Sequence, residues 1–162
     1  ILNGPFPKGE DAISKNALYS VRYAEFVLRT KFEKGEDAIS KDAISSYEYA
    51  QDVLRGPFTK GEDAISTNPL YAYTYAVQIL KGPFPKGETA ISTDTKFSFM
   101  YAKKALKGRF PKGEDAIAKN LIWSLEYATE ILKGRFEKGE PIINNSPSAK
   151  KDYEEFLDSL KK

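Results

Sequence analysis

The chain has 162 residues, of which 41% are hydrophobic and 13% aromatic, and its formal net charge is +2. This composition suffices to fill a core, which excludes a disordered chain, and the balanced charge gives no drive towards nucleic acid or an anionic membrane. Cysteine and histidine are absent, which excludes disulfides, thiolate nucleophiles, cysteine-ligated zinc and a histidine general base.

The chain begins with what reads as the end of a repeat. The stretch Ile1-Leu2-Asn3-Gly4-Pro5-Phe6 matches Ile79-Leu80-Lys81-Gly82-Pro83-Phe84, and no initiator methionine is present. We therefore expect residues 1–7 to be the remnant of a preceding repeat, and the chain to be a fragment or a processed form of a longer array. The alternative is that residues 1–3 only form a cap.

The tripeptide Lys-Gly-Glu organises the remaining residues. It recurs at intervals of 26 residues without an insertion, and a fixed period of this length is typical of stacked repeats. We expect one solenoid domain over residues 1–162, with five full repeats over 8–137 and a C-terminal capping repeat over 138–162. The copies begin at Lys8, Lys34, Lys60, Lys86, Lys112 and Lys138.

Each repeat is predicted to contain two helices. The first is the short segment Gly-Glu-Asp-Ala-Ile-Ser, whose acidic residues suit the first turn of a helix. The second runs for about 13 residues towards Leu54-Arg55 and is predicted to close at Gly56, a typical C-cap residue. Thr30 replaces this glycine in the first repeat, so we expect a strained or different cap there. The predicted N-caps of the second helices are Asn16, Asp42, Asn68, Asp94, Asn120 and Ser146.

The second helix is expected to supply the core. A Tyr-Ala pair, a following leucine and a preceding small residue recur at spacings of three and four, which places them on one helical stripe. A phenylalanine in each linker is expected to fill the seam between neighbouring repeats. In the third repeat these residues are Ala72, Tyr75, Ala76, Leu80 and Phe84.

These patterns together predict an all-α fold, an α-solenoid of two-helix, 26-residue repeats. The motif Phe-Pro-Lys-Gly-Glu-Asp-Ala-Ile, followed by Asn or Asp, Tyr-Ala and Leu-Lys-Gly-Arg-Phe, resembles tandem repeats encoded by large tailed phages. The architecture is similar to that of tetratricopeptide and Sel1-like solenoids, whose units are longer. The resemblance implies a viral or phage setting and carries no catalytic residue.

The sequence predicts no catalytic, cofactor-binding or metal-binding residue, and we expect a protein that is not an enzyme. The glutamates of Lys-Gly-Glu recur in equivalent environments, whereas acid–base pairs need different ones. We expect these carboxylates to bond local N–H groups or a neighbouring Tyr or Lys. The sequence also contains no signal peptide and no apolar run of the roughly 20 residues that span a membrane, so we expect a soluble chain of unknown location.

The most variable positions lie three or four residues apart on the second helix, which places them on one outward face. We expect this face to bind another protein, so that the chain acts as a scaffold. The alternatives are a structural subunit that assembles end to end and a single-stranded nucleic-acid binder, although nucleic acid is the less favoured partner. The predicted contact residues are Thr74, Val77, Gln78, Met100, Lys103 and Lys104.

Overall fold

A computed structural model describes residues 4–161, so the prediction made for residues 1–3 lies outside the described range. The structure is 72% helical, and the described residues contain no strand. The predicted all-α fold of repeated helix pairs is therefore confirmed. The α-helices are α1 Glu10–Ile13, α2 Ala17–Arg22, α3 Glu36–Ile39, α4 Ala43–Glu48, α5 Glu62–Ile65, α6 Pro69–Thr74, α7 Glu88–Ile91, α8 Thr95–Tyr101, α9 Glu114–Ile117, α10 Leu121–Glu126, α11 Glu140–Asn144 and α12 Pro147–Ser159.

The chain divides into two compact units, Ile1–Gly87 and Glu88–Lys162, called unit 1 and unit 2 below. Both are built from the same repeated elements. A 3₁₀ turn such as Thr59–Gly61 leads into the short helix, and the longer helix follows after a turn. The single domain predicted over residues 1–162 stays a prediction.

The longer helices begin where the sequence predicts. Asn16 Oδ1 accepts a hydrogen bond from the Tyr19 amide at 3.0 Å, and Asp42 Oδ1 accepts one from the Ser45 amide at 2.7 Å. Such a bond satisfies one of the amide groups that the first helical turn leaves without a partner. Ser146 is the exception, because its side chain makes no capping bond to a backbone amide.

Five of the six longer helices between residues 4 and 161 change from α to π geometry halfway along, which the sequence reading does not predict, whereas α12 keeps α geometry over Pro147–Ser159. The π segments are wider turns, and each starts at or directly after the tyrosine of the Tyr-Ala pair. The cap residue Arg55 and the following Gly56 both direct their amides at the Ala50 carbonyl. The π segments are Tyr23–Leu28, Tyr49–Leu54, Tyr75–Leu80, Ala102–Leu106 and Tyr127–Leu132.

The prediction that glycine closes these helices is wrong by one residue. Arg55 has the left-handed conformation, with φ of 53°, and Gly56 does not have a positive φ. The closing bond from Gly56 to Ala50 spans six residues, whereas its α-helical counterpart spans about five. Thr30 bonds the Ala24 carbonyl in the same way at 3.3 Å, so a different first cap is not observed. The left-handed residues are Arg29, Arg55, Lys81, Lys107 and Lys133.

The core lies at the seams between consecutive repeats of each unit. The Phe58 ring packs edge-on against Tyr49 of the longer helix that precedes it, with the ring centroids 5.0 Å apart, and the Phe58 amide donates to Tyr75 Oη of the longer helix that follows at 3.0 Å. Phenylalanine therefore fills the seam, as predicted. The recurring leucine, for example Leu80, is only half-buried and so contributes less than predicted.

Candidate functional site

The six copies of Lys-Gly-Glu have structural roles, beginning with the glutamate. Tyr75 Oη donates to Glu62 Oε1 at 3.2 Å and accepts from the Phe58 amide, so one hydroxyl joins both helices of the repeat to its linker. The predicted bond between glutamate and tyrosine is confirmed here. The corresponding tyrosines that donate to a glutamate, at 2.9–3.4 Å, are Tyr23, Tyr49, Tyr75, Tyr101, Tyr127 and Tyr153.

The glycine of the tripeptide permits close packing of one repeat on the next. A Cβ atom on Gly61 would lie 2.6 Å from Ser46 Cβ and 2.5 Å from the Phe58 ring, closer than real Cβ contacts. Ser46 is fully buried, and its hydroxyl donates to the Ile39 carbonyl at 2.8 Å. Glycine and a small residue are therefore both required at this seam.

The lysine of the tripeptide pairs with a carboxylate of the preceding repeat. Lys86 Nζ lies 2.9 Å from Asp63 in unit 1, and Lys138 Nζ lies 2.8 Å from Asp115 in unit 2. Where Thr89 replaces the aspartate, Lys112 Nζ instead lies 2.8 Å from Glu88. Five of the six tripeptide lysines pair with a carboxylate in this way, namely Lys34, Lys60, Lys86, Lys112 and Lys138.

Three of the predicted contact residues belong to unit 1, and only one of them is fully exposed. Thr74 and Val77 are half-buried, and the Thr74 hydroxyl donates to the Leu70 carbonyl of its own helix at 2.9 Å. Gln78 is exposed, and its Oε1 accepts from Tyr47 Oη of the preceding repeat at 2.7 Å.

The other three predicted contact residues belong to unit 2. Met100 is half-buried, whereas Lys103 and Lys104 are exposed. Lys103 Nζ lies 2.5 Å from Glu130 of the next repeat and 5.4 Å from the centroid of the Phe99 ring. Lys103 therefore already has partners within unit 2.

Part of the sequence variation on this face has a structural cause. Arg22 lies 3.3 Å from Glu48 in unit 1, just as Lys103 lies beside Glu130 in unit 2. Opposite charges on neighbouring repeats thus pair with each other. Ion pairs between neighbouring repeats are therefore one cause of the alternating charge along this face, beside any contact with a partner.

Sequence reasoning missed a row of exposed apolar residues in unit 1. Leu18, Ile44 and Leu70 occupy the same position in three successive repeats and are 49%, 46% and 42% exposed. We call these three residues the apolar row. They belong to helices α2, α4 and α6, which contact one another in order. The signal in the sequence is a recurring Leu or Ile at that position, whereas the predicted partner surface rests only on variable positions.

The apolar row adjoins the predicted face. Leu70 and Thr74 are four residues apart within α6 and therefore lie on one side of it, and Val77 and Gln78 follow in the π segment that begins at Tyr75. Beside the row, Lys15 and Lys41 are exposed. In unit 2 the corresponding positions hold Lys96, Ile122 and Ser148, all exposed, and Ile122 is 60% exposed.

A groove of about 670 Å³ lies at the other end of these helices in unit 1. Its lining includes Phe26, Asp52 and the left-handed residues Arg29 and Arg55. Phe26 is 63% exposed and lies 5.8 Å from the Arg22 guanidinium. The groove is open and of mixed charge, which gives it no single ligand chemistry.

Comparisons with protein-family models, with curated proteins and with solved structures found no match for this chain. Within the described range, no cluster of acidic side chains is placed to hold a metal ion. None of the helices between residues 4 and 161 has the length and apolar character that crossing a bilayer requires. The fold and the geometry therefore carry the functional argument.

Proposed function

We propose that this protein is a non-enzymatic repeat scaffold that binds another protein through the outward face of its longer helices in unit 1. The observation that carries the proposal is the apolar row of Leu18, Ile44 and Leu70. Single exposed apolar residues are ordinary on a protein surface. Three in the same position of three adjoining repeats form a contiguous strip, and such strips typically mark interaction sites.

The spacing of the row favours a helical partner. Packed helices lie about 8–10 Å apart, so the three side chains recur at about that distance. Residues seven apart on a partner helix recur every ~10.5 Å, which matches this spacing. The exposed Lys15 and Lys41 beside the row favour acidic residues on the partner. An apolar centre with a charged rim is the usual anatomy of an interface.

The predicted contact residues extend this surface. Thr74, Val77 and Gln78 continue from Leu70 along the same helix; Thr74 and Gln78 form the polar margin of the proposed interface, and Val77 adds a half-buried apolar side chain. For Met100, Lys103 and Lys104 we keep the prediction of a partner contact within unit 2. The resemblance to phage repeats belongs to the same proposal and supplies a setting for the partner, not a residue role.

The test compares two triple variants of the three repeats in unit 1. We expect Leu18→Ser with Ile44→Ser and Leu70→Ser to abolish capture of a protein partner without lowering the melting temperature, because these side chains are half exposed. The control is Arg29→Asn with Arg55→Asn and Lys81→Asn, at the other end of the same helices, since asparagine tolerates the left-handed conformation. Equal loss from both triples would contradict a contact centred on the row.

A second comparison within unit 2 must avoid the ion pair between Lys103 and Glu130, because reversing either charge breaks the same contact. Met100→Glu with Lys104→Glu leaves that pair intact and alters two of the predicted contact residues. Loss of capture would support a contact in unit 2, and full retention would restrict the proposed interface to unit 1.

A further inference from the structure

Two arginines of unit 2 hold their glutamates with one edge of the guanidinium group and leave the other edge open. Arg109 donates from Nε and Nη2 to the two oxygens of Glu114, and Arg135 donates from the same two nitrogens to Glu140. Within residues 4–161, Nη1 of each arginine has no hydrogen-bond partner, and the two arginine side chains are 62% and 65% exposed. Each guanidinium group is therefore fixed on its inner side and accessible on its outer side.

The fold alone does not explain these two arginines. Glu62 accepts a hydrogen bond from Tyr75 although the residue before its linker phenylalanine is Pro57, which has no side-chain donor. Glu140 also remains about as exposed as Glu62, even though Arg135 binds it. The repeat thus forms its bond between tyrosine and glutamate with or without an arginine.

Both arginines line one groove of about 650 Å³ in unit 2, and sites for small molecules typically have volumes of about 300–1,000 Å³. The half-buried Ile131 and Leu132 give the lining an apolar wall. Equivalent atoms of stacked repeats recur about 8–10 Å apart. One phosphate group that accepts a bond of about 2.8 Å on each of two sides spans a similar distance. The groove therefore offers two guanidinium groups and an apolar wall to a single ligand.

The carboxylates of the groove differ in how they would act on an anion. Glu114 is 4% exposed and is already bound by Arg109, whereas Glu137, also on the lining, is exposed. The glutamates that they bind raise the pKa of Arg109 and of Arg135, and the charge of Glu137 raises it further in both, so Glu137 lies near both guanidinium groups. Lys133, two residues before Arg135, is exposed and adds opposite charge. An anion between the arginines would therefore be repelled chiefly by Glu137.

We propose that this groove binds a small molecule that has a phosphate group and an apolar body. The phosphate lies between the outer edges of Arg109 and Arg135, and the apolar body lies against Ile131 and Leu132. Arginine suits this role because its planar group donates two parallel hydrogen bonds to an oxyanion. Unit 1 has no arginine at the equivalent position. The groove belongs to unit 2 and the apolar row to unit 1, so this proposal does not depend on the proposed function.

Isothermal titration calorimetry of the full chain with phenyl phosphate, in a buffer without phosphate, tests the proposal. We expect the unaltered chain to bind, and Arg109→Pro with Arg135→Pro to lower the affinity at least about tenfold through loss of charge-assisted bonds. Proline stands at the equivalent Pro57, so the double variant should keep its fold and melting temperature. Inorganic phosphate should bind more weakly than phenyl phosphate, and equal affinities would overturn the role of the apolar wall.

Two further variants separate a built site from a general attraction of anions. Lys119→Gln removes a positive charge of unit 2 outside the groove lining and should leave the affinity within about twofold, because exposed charges at a distance are screened. Glu137→Gln should raise the affinity, a gain that a misfolded chain cannot give. If the unaltered chain binds neither phosphate compound at millimolar concentration, or if Lys119→Gln weakens binding as much as the double variant, the proposal is overturned. An unchanged affinity of Glu137→Gln would overturn the position of the phosphate between the arginines.

Discussion

Two glutamates at the same repeat position have different surroundings in the two units. Glu62 of unit 1 has a side chain 16% exposed, and its nearest cation is Lys86 at 3.7 Å. Glu114 of unit 2 has a side chain 4% exposed, and Arg109 binds both of its oxygens, at 2.6 and 3.2 Å. Each accepts a hydrogen bond from its tyrosine.

The difference comes from the residue before the linker phenylalanine. Pro57 holds this position before Glu62 and offers no donor, whereas Arg109 and Arg135 of unit 2 bind their glutamates with two hydrogen bonds each. Elsewhere in unit 1 the position holds Lys31, which pairs with Glu33. The bond from tyrosine to glutamate is therefore the constant part of the repeat. The arginine is an addition that supplies two further hydrogen bonds without fixing the depth of burial, because Glu140 beside Arg135 is 18% exposed, close to the 16% of Glu62.

The largest expected effect should be the same in both units. Tyr75 and Tyr127 have no exposed surface, so replacing either with alanine leaves a large cavity and should lower the free energy of unfolding by about 3–5 kcal/mol. Urea denaturation of the two variants measures this. Gln78→Ala should cost within about 0.5 kcal/mol, as at ordinary surface sites. A marked difference in the loss of unfolding free energy between the two variants would show that the equivalent tyrosines contribute differently to the cores of their units.

Alkaline pH should also act on both units alike. Burial raises the pKa of Tyr75 to about 12 and that of Tyr127 to about 12, from 10.0. The neutral hydroxyl is favoured in the folded state, so its stabilisation is complete below pH 10 and is lost between about pH 10 and 12. The loss is about 3 kcal/mol for each such tyrosine.

Urea midpoints measured at pH 9 and at pH 11.5 test this expectation. Tyr75→Phe should weaken the pH dependence, because the variant has one buried hydroxyl fewer to ionise on unfolding. A stability that is unchanged up to pH 12 would contradict the assigned role of burial.

Replacing the two glutamates should lower the free energy of unfolding by different amounts in the two units. Glu114→Ala leaves Tyr127 and Arg109 without their shared acceptor and should cost about 1–3 kcal/mol. Glu62→Ala removes one hydrogen bond from a less buried site, and should cost about 0.5–1.5 kcal/mol. Chemical denaturation of both variants measures the two losses of unfolding free energy. A larger loss for Glu62→Ala would contradict the expected order.

The smallest expected effect is a gain in stability. Gly56 has no positive φ, and a Cβ there would lie 3.8 Å from the nearest atom. Gly56→Ala should therefore stabilise by about 0.4–1 kcal/mol through the unfolded state, and Gly108→Ala should do the same in unit 2. Gly61→Ala is the matched control, because its Cβ would clash with Ser46, and it should destabilise by about 1–3 kcal/mol. Thermal melting distinguishes the signs.

The local fold could be predicted from short-range chemistry. Asn16 and Asp42 act as helix caps because the capping bond depends only on residues two or three positions away. The buried tyrosines and the phenylalanine seam followed from the spacing of large apolar residues. The half-burial of Leu80 did not, since it depends on how the π turn rotates the helix end.

The candidate site was less predictable than the fold. Variation between repeats indicated a partner surface at Lys103, but variation also encodes the pairing of Lys103 with Glu130. The apolar row was missed because its members resemble core residues in the sequence. Only the structure shows that Leu18 and Ile44 stand outside the helix packing.

The tyrosine hydroxyl bonds also explain how such a chain can lengthen during evolution. Phe6, Glu10 and Tyr23 meet at one oxygen, and the same separations of 13 and 17 residues recur at Tyr49 and Tyr75. Inserting one residue between the glutamate and the tyrosine would change both separations and break both bonds. Duplicating a whole block of 26 codons breaks neither, because each block brings its own three partners. In-frame duplication is therefore the tolerated route of growth, and it accounts for a period without a single insertion.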